Sequence, residues 1–199
     1  MFISFEGIDG SGKSTQARRL AETLNARGTE TLLTREPGGS EGAEEIRRLL
    51  VQGRSERWSA ETELLLFTAA RRDHVERLIQ PTLARGAWIV TDRFADSSRV
   101  YQGLARADLR QLVEELHRLT IGMEPDRTFI IDIDPAMALS RSQIRGGIED
   151  RYETLGLGFQ QKLRKGFLEL AAEAPERIRV IDGSGSEDEV AARVLAALD

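Results

Sequence analysis

The chain has 199 residues, 40% hydrophobic and 31% charged, with a net charge of −5; that is enough for one well-buried α/β domain, and the composition is that of a globular rather than a disordered chain. The acidic balance disfavours broad electrostatic capture of nucleic acid. The absence of cysteine excludes disulfides, thiol chemistry and Cys-ligated zinc and suits a reducing cytoplasm, and no apolar run approaches the ~20 residues needed to cross a bilayer.

The N-terminus reads directly into a strand, Phe2–Phe5, with no charged leader ahead of a long apolar core. Next comes Gly7-Ile8-Asp9-Gly10-Ser11-Gly12-Lys13-Ser14, which fits G-x-x-x-x-G-K-[ST] in the strand–loop–helix setting that the motif requires. Glycines there let consecutive N–H groups turn inward around a phosphate, and the loop runs onto the N-terminus of a predicted helix, Lys13–Ala26, whose partial positive charge favours an anion. Lys13 is placed to reach the β- and γ-phosphates of a nucleoside triphosphate, and the Ser14 hydroxyl to sit on Mg²⁺. Lysine otherwise occurs only at 162 and 165, so a compact ammonium in this slot stands out in an arginine-preferring chain.

A second strand, Thr31–Leu33, leads into Arg35-Glu36-Pro37-Gly38-Gly39. Composition alone makes this a turn before the helix Glu41–Val51, but Arg35 and Glu36 also leave a strand at its ligand-binding end. The helical pattern Glu61–Leu83 follows, with an interruption expected near Gln80 because Pro81 has no N–H. Within it Phe67 and Arg71 lie one turn apart on one face, a ring and a guanidinium suited to stacking on a planar base and donating to its carbonyl.

The third strand, Trp88–Val90, ends in Asp92-Arg93-Phe94. An acid leaving an apolar strand beside a phosphate loop is placed to hold Mg²⁺ directly or through water, and Arg93 to grip a second phosphate. The segment Ser97-Ser98-Arg99-Val100-Tyr101-Gln102-Gly103 offers hydroxyls, an amide and a ring for a sugar and a base edge. Helix Leu109–Ile121, strand Phe129–Ile133 and helix Pro135–Ile144 precede an arginine-rich segment at about 141–153. Its Gly146-Gly147 hinge and its Arg141, Arg145 and Arg151 read as a lid that excludes water from a phosphoryl-transfer site. Helix Phe159–Ala172, strand Arg179–Ile181 and helix Glu187–Leu198 complete the chain.

Strand and helix in alternation predict an α/β fold, a P-loop three-layer sandwich with a parallel sheet and helices on both faces, formed by residues 1–199 as one domain. Every strand's C-terminal end then meets at one edge, where ligands bind.

With these segments in this order, the chain resembles the bacterial thymidylate kinases over essentially its whole length. The similarity is carried by the phosphate loop, Thr34-Arg35-Glu36-Pro37-Gly38-Gly39, Asp92-Arg93-Phe94 with Tyr101-Gln102-Gly103, and Asp150-Arg151-Tyr152-Glu153. The resemblance implies a five-stranded sheet and a Mg²⁺-dependent cytoplasmic homodimer that converts dTMP to dTDP with ATP. Neither nucleic acid nor a membrane is expected as a partner. Another nucleoside monophosphate kinase or a deoxynucleoside kinase is the alternative. Gly7 to Ser14, Thr15 and Arg141 would then cradle ATP, and Ser14 and Asp92 would hold Mg²⁺. Phe67 would stack on thymine and Arg71 would donate to its O4. Arg93 would hold the dTMP phosphate and Tyr101 would crowd the sugar C2′. Asp9, Arg35, Glu36, Ser97, Ser98 and Gln102 would line the acceptor. Lys13 and Arg93, with Arg145 or Arg151, would carry catalysis. Gly10 stands where some members have a catalytic arginine, so the lid is expected to supply it; which lid arginine acts is left open.

Overall fold

Burial along strand β1 (Phe2–Glu6) follows the pleat. Ile3 and Phe5 enter one core cluster and Phe2 another, on the opposite side. In the computed structural model, which describes residues 1–52, 57–106, 108–145 and 156–198, β1 is the centre of a five-stranded sheet. The other strands are β2 (Thr31–Arg35), β3 (Trp88–Asp92), β4 (Arg127–Asp132) and β5 (Ile178–Asp182), in the order β2-β3-β1-β4-β5. All four pairings are parallel. Each predicted apolar run falls in one of these strands; the inner strands β1, β3 and β4 are buried on both faces and hence largely apolar, whereas the edge strands β2 and β5 mix buried with exposed residues.

Helix α1 (Lys13–Ala26) covers one face with Ala17, Leu20, Ala21 and Leu24, joined by Val190 and Val194 from a C-terminal helix (Glu187–Ala196). The opposite face carries a helix over Gly156–Glu173 through Leu163, Phe167 and Leu170. Beside it Val75 and Ile79 pack on Phe2, Ile89 and Phe94. The result is the expected three-layer sandwich.

Two regions depart from the periodicity. After helices α2 (Glu41–Val51) and α3 (Ala60–His74) comes a π-helical turn, Val75–Ile79, and then α4 (Gln80–Ala84). Pro81 lacks an N–H and its ring would strike the carbonyl four residues back. The widened turn, in which the Gln80 N–H reaches Val75 O, accommodates it. The interruption expected near Gln80 is therefore present one turn earlier, without breaking the rod. The second departure is a short helix α5 (Ala95–Val100) running into another π-helical segment, Tyr101–Arg106. It lies where the sequence suggested only a hydroxyl-bearing loop. The remaining helices are α6 (Arg110–Thr120), α7 (Pro135–Arg145), α8 (Gly156–Glu173) and α9 (Glu187–Ala196).

Candidate active site

The loop between β1 and α1 occupies the switch point of the sheet, between β3 and β4. Gly7, Gly10 and Gly12 have φ of 135°, 81° and 94°, values that side chains with a Cβ rarely adopt. A Cβ on Gly10 would stand 2.1 Å from the Ala138 carbonyl oxygen in α7, so no arginine fits this slot in this conformation. Gly12 precedes α1 without a side-chain cap, and no acid lies in the helix's first turn. Its leading N–H groups and positive dipole end are thus left for an anion. Among the described residues the buried Ser11 Oγ has no hydrogen-bond partner.

Lys13 Nζ donates to Asp9 Oδ1 at 3.2 Å and lies 3.4 Å from Ile8 O. Arg93, at the end of β3 with φ 75°, aims its guanidinium into the same place. Its Nη2 donates to Asp9 Oδ1 at 2.5 Å and to Tyr101 Oη at 3.2 Å, and its Nη1 to Ser97 Oγ at 2.9 Å and Gly7 O at 3.3 Å. Tyr101 donates to Asp9 Oδ2 at 3.1 Å. Burial alone would raise the Asp9 carboxyl, but Lys13 and Arg93 outweigh it and hold the group far below the ordinary carboxylate range. Two cations from separate elements thus converge on one carboxylate oxygen.

A cleft of about 390 Å³ opens beside this point, lined by Ser14, Thr15, Arg18, Leu33, Thr34, Arg35 and Asp92. Asp92 Oδ1 is buried and has no hydrogen-bond partner among the described residues. Ser14 and Asp92 thus line one cleft, and a hydroxyl and a carboxylate are the hard oxygen donors that Mg²⁺ takes. Among the described residues no group of three or more His, Cys, Asp and Glu could hold a metal ion. Mg²⁺ at this place would therefore draw its other ligands from water and substrate phosphates.

On α3, Phe67 is half-buried and outside the core clusters. Arg71, one turn on, is buried. Its Nε donates to Glu36 Oε2 at 2.7 Å and its Nη2 to Phe94 O and Ser98 Oγ, both at 3.1 Å. Among the described residues its Nη1 has no hydrogen-bond partner. The second Glu36 oxygen lies 3.1 Å from His74 Nδ1, and His74 Nε2 lies 2.8 Å from Thr34 Oγ1. Burial would raise the Glu36 carboxyl, but Arg71 and His74 bring it below its ordinary range. Glu36, expected to line the acceptor side, has its two oxygens on Arg71 and His74. Arg35 is exposed and reaches Glu44 at 3.3 Å. The Gln102 amide donates to the buried Glu63 at 2.9 Å.

Arg141 lies in α7 and Arg145 ends it. Arg151 and most of the arginine-rich segment lie outside the described residues, as does the Asp150–Glu153 motif. The sequence reading singled out neither Glu6, Glu63 nor His74, and quoted Thr34 only as part of a motif. Glu6 left a signal, a charge closing an apolar strand immediately before the phosphate loop.

Three comparisons bear on what the chain is. The family model described as "Thymidylate kinase" matches residues 5–194. The thymidylate kinase of Dinoroseobacter shibae is 67% identical over 196 residues, 98% of this chain and 95% of that protein. That of Caulobacter vibrioides is 50% identical over 194 residues, 97% of this chain and 93% of that protein. The crystal structure of thymidylate kinase from Ehrlichia chaffeensis superposes with a TM-score of 0.81 at 36% identity, covering 100% of this chain and 98% of that one. With a phosphate loop at the switch point of a β2-β3-β1-β4-β5 sheet and similarity running from end to end, the chain belongs to the thymidylate kinase family.

Proposed function

We propose that the chain, acting as one domain, transfers the γ-phosphoryl group of ATP to dTMP and releases dTDP and ADP. The observation that carries this reading is the convergence of Lys13 and Arg93 on Asp9 Oδ1, at 3.2 and 2.5 Å. It holds two cations where donor and acceptor phosphates would meet.

The acceptor oxygen needs no strong base, since the second pKa of a phosphate monoester is ~6. What the reaction needs is alignment and neutralisation of charge. Loop amides from Gly7 to Ser14 and the open end of α1 would receive the donor phosphates, with Lys13 beside the transferring group. Arg93 would meet the dTMP phosphate, leaving Asp9 to the acceptor sugar. Phe67 offers the thymine a face and Arg71 Nη1 a donor for its carbonyl. Tyr101, fixed by Asp9 and Arg93, would crowd the sugar C2′, and Ser98 and Gln102 the nucleoside. Mg²⁺, when bound, would neutralise charge between the donor's phosphates, and Ser14 and Asp92 are the residues that would hold it. With an arginine excluded at Gly10, the remaining cation falls to Arg145 or Arg151, and Arg141 to the nucleotide. The chain is further expected to pair as a homodimer in the cytoplasm without nucleic acid. Leu65 on α3 and Leu104 are 53% and 43% exposed apolar surface available for pairing, and no described helix is long and apolar enough to cross a membrane.

ADP release with ATP and Mg²⁺ against dTMP, dUMP, UMP, dCMP, AMP and thymidine tests the assignment. dTMP is expected to be the preferred acceptor. Use of thymidine without dTMP would overturn the reading, and sedimentation decides the dimer.

A further inference from the structure

Glu6 closes β1 and is fully buried. Positions 2, 4 and 6 share the sheet face on which α5 packs, so its side chain meets the turn between β3 and α5. Its Oε1 accepts the Phe94 N–H at 2.7 Å and the Ser97 N–H at 3.3 Å. Its Oε2 accepts the Ser97 hydroxyl at 2.6 Å, and that hydroxyl in turn accepts Arg93 Nη1 at 2.9 Å. Carboxyl, hydroxyl and guanidinium form one directed chain of hydrogen bonds.

We propose that Glu6 is a positioning residue for phosphoryl transfer, fixing through Ser97 the turn and the guanidinium attitude of Arg93. Three features carry this. Arg93 has a φ of 75°, a left-handed conformation that a non-glycine residue holds only when its surroundings impose it. The two amides that Glu6 accepts belong to Phe94, next to Arg93, and to Ser97 in the first turn of α5, so the same carboxyl locks the backbone that follows the guanidinium and the hydroxyl that receives it. Glu6 also directly precedes Gly7, so one strand end registers the phosphate loop against the acceptor-binding arginine. A buried carboxyl that served packing alone would be replaceable by an apolar residue; this one has every hydrogen bond directed at the Arg93 turn.

The inference rests on the role given to Arg93 above, and the experiment separates the two. Glu6→Gln, Ser97→Ala, Arg93→Lys and the double variants are made in the full chain. Each is characterised by kcat, by KM for dTMP and for ATP, and by Tm, at pH 8. The glutamine keeps an oxygen for the two amides but turns an N–H toward Ser97, reversing that link. Glu6→Gln and Ser97→Ala are each expected to lower kcat/KM for dTMP roughly 10–10²-fold, since about 1 Å of misplacement costs that much. KM for ATP and Tm stay near wild type, and neither change lowers activity further once Arg93 is lysine. If Arg93→Lys reduces dTMP turnover while Glu6→Gln and Ser97→Ala do not, the proposal alone is overturned. If Arg93→Lys has no effect, the assignment of Arg93 fails and this proposal with it. Equal losses toward both substrates that follow a fall in Tm would show Glu6 to be merely structural. Should Glu6→Gln not fold, Ser97→Ala, which leaves both amide bonds intact, decides.

Discussion

Arg71 and Glu36 form an ion pair sealed from water: Nε and Oε2 are 2.7 Å apart, with the two side chains 5% and 4% exposed. Removing both charges from solvent is expensive, and such a pair is often no more stabilising than apolar residues of the same volume. It does fix orientation. With Nε on Glu36 and Nη2 on Phe94 and Ser98, the guanidinium plane is determined, and Nη1 is the nitrogen without a partner among the described residues.

Glu36→Gln therefore acts on stability and on recognition together. It leaves Arg71 buried without its counter-charge, a change that typically costs about 3–5 kcal/mol. It also frees the guanidinium to swing. Urea unfolding is expected to show a clear fall in midpoint, and KM for dTMP to rise more than KM for ATP. An unchanged KM for dTMP in a folded variant would remove Glu36 from acceptor recognition.

Gly10→Ala is the sharpest test of the phosphate cradle. The new Cβ would meet the Ala138 carbonyl oxygen at 2.1 Å and its carbon at 2.7 Å, at a φ of 81°. These are backbone atoms of α7, so no side chain can yield. The loop has to open, and ATP affinity is expected to fall at least tenfold by calorimetry, in line with loss of more than about 1.4 kcal/mol of binding. dTMP affinity is expected to fall less, because Phe67 and Arg71 lie on another element and Asp9 is the loop residue assigned to the acceptor. Equal loss for both nucleotides would mean that the loop holds the acceptor as firmly as it holds ATP.

How far the sequence reveals such features depends on the range of the interaction. The phosphate loop is contiguous, and Phe67 and Arg71 are related by one helical turn, so both could be read locally. Glu6 and Ser97 are 91 positions apart, and Glu36 and His74 are 38 apart; such pairs become visible only once strands are placed side by side. Helix α5 escaped for another reason. All six of its residues, including Asp96, Ser97, Ser98 and Arg99, are buried, so it has no apolar stripe opposite a polar one to betray a 3.6-residue period. Its polar side chains are satisfied by long-range bonds such as Arg177 to Asp96 at 2.7 Å.

Lys13→Ala is expected to cost catalysis far more than stability. Asp9 keeps Arg93 at 2.5 Å and Tyr101 at 3.1 Å, so loss of the ammonium does not strand a carboxylate. At the transferring phosphate, loss of one preorganised donor typically costs about 10²–10³ in rate. kcat for dTMP phosphorylation should fall by that order while Tm moves by a few degrees at most. Near-normal turnover would take Lys13 out of the reaction.

Glu6 also predicts how stability varies with pH. Burial, reinforced by the neighbouring Asp96 and opposed by Arg93, Ser97 and Phe94, raises its carboxyl from an ordinary 4.5 to about 7. Between these values the folded chain binds a proton that the unfolded chain has released, so folding stability from this group declines as pH rises. The contribution is complete below about pH 4.5 and gone above about pH 7, and the shift is worth about 3 kcal/mol at most. Asp9, Glu36 and Glu124 have lowered values and act in the opposite sense, their stabilisation being lost only as the medium becomes more acidic than about pH 4.5. The two effects therefore occupy separate windows. Guanidinium unfolding of wild type and Glu6→Gln at pH 5 and pH 7.5 isolates the first: the wild type is expected to gain on the variant at pH 5 relative to pH 7.5. A stability difference that is the same at both values would mean that Glu6 titrates in the folded chain as it does in the unfolded one, and that its hydrogen bonds to Phe94 and Ser97 compensate fully for its burial.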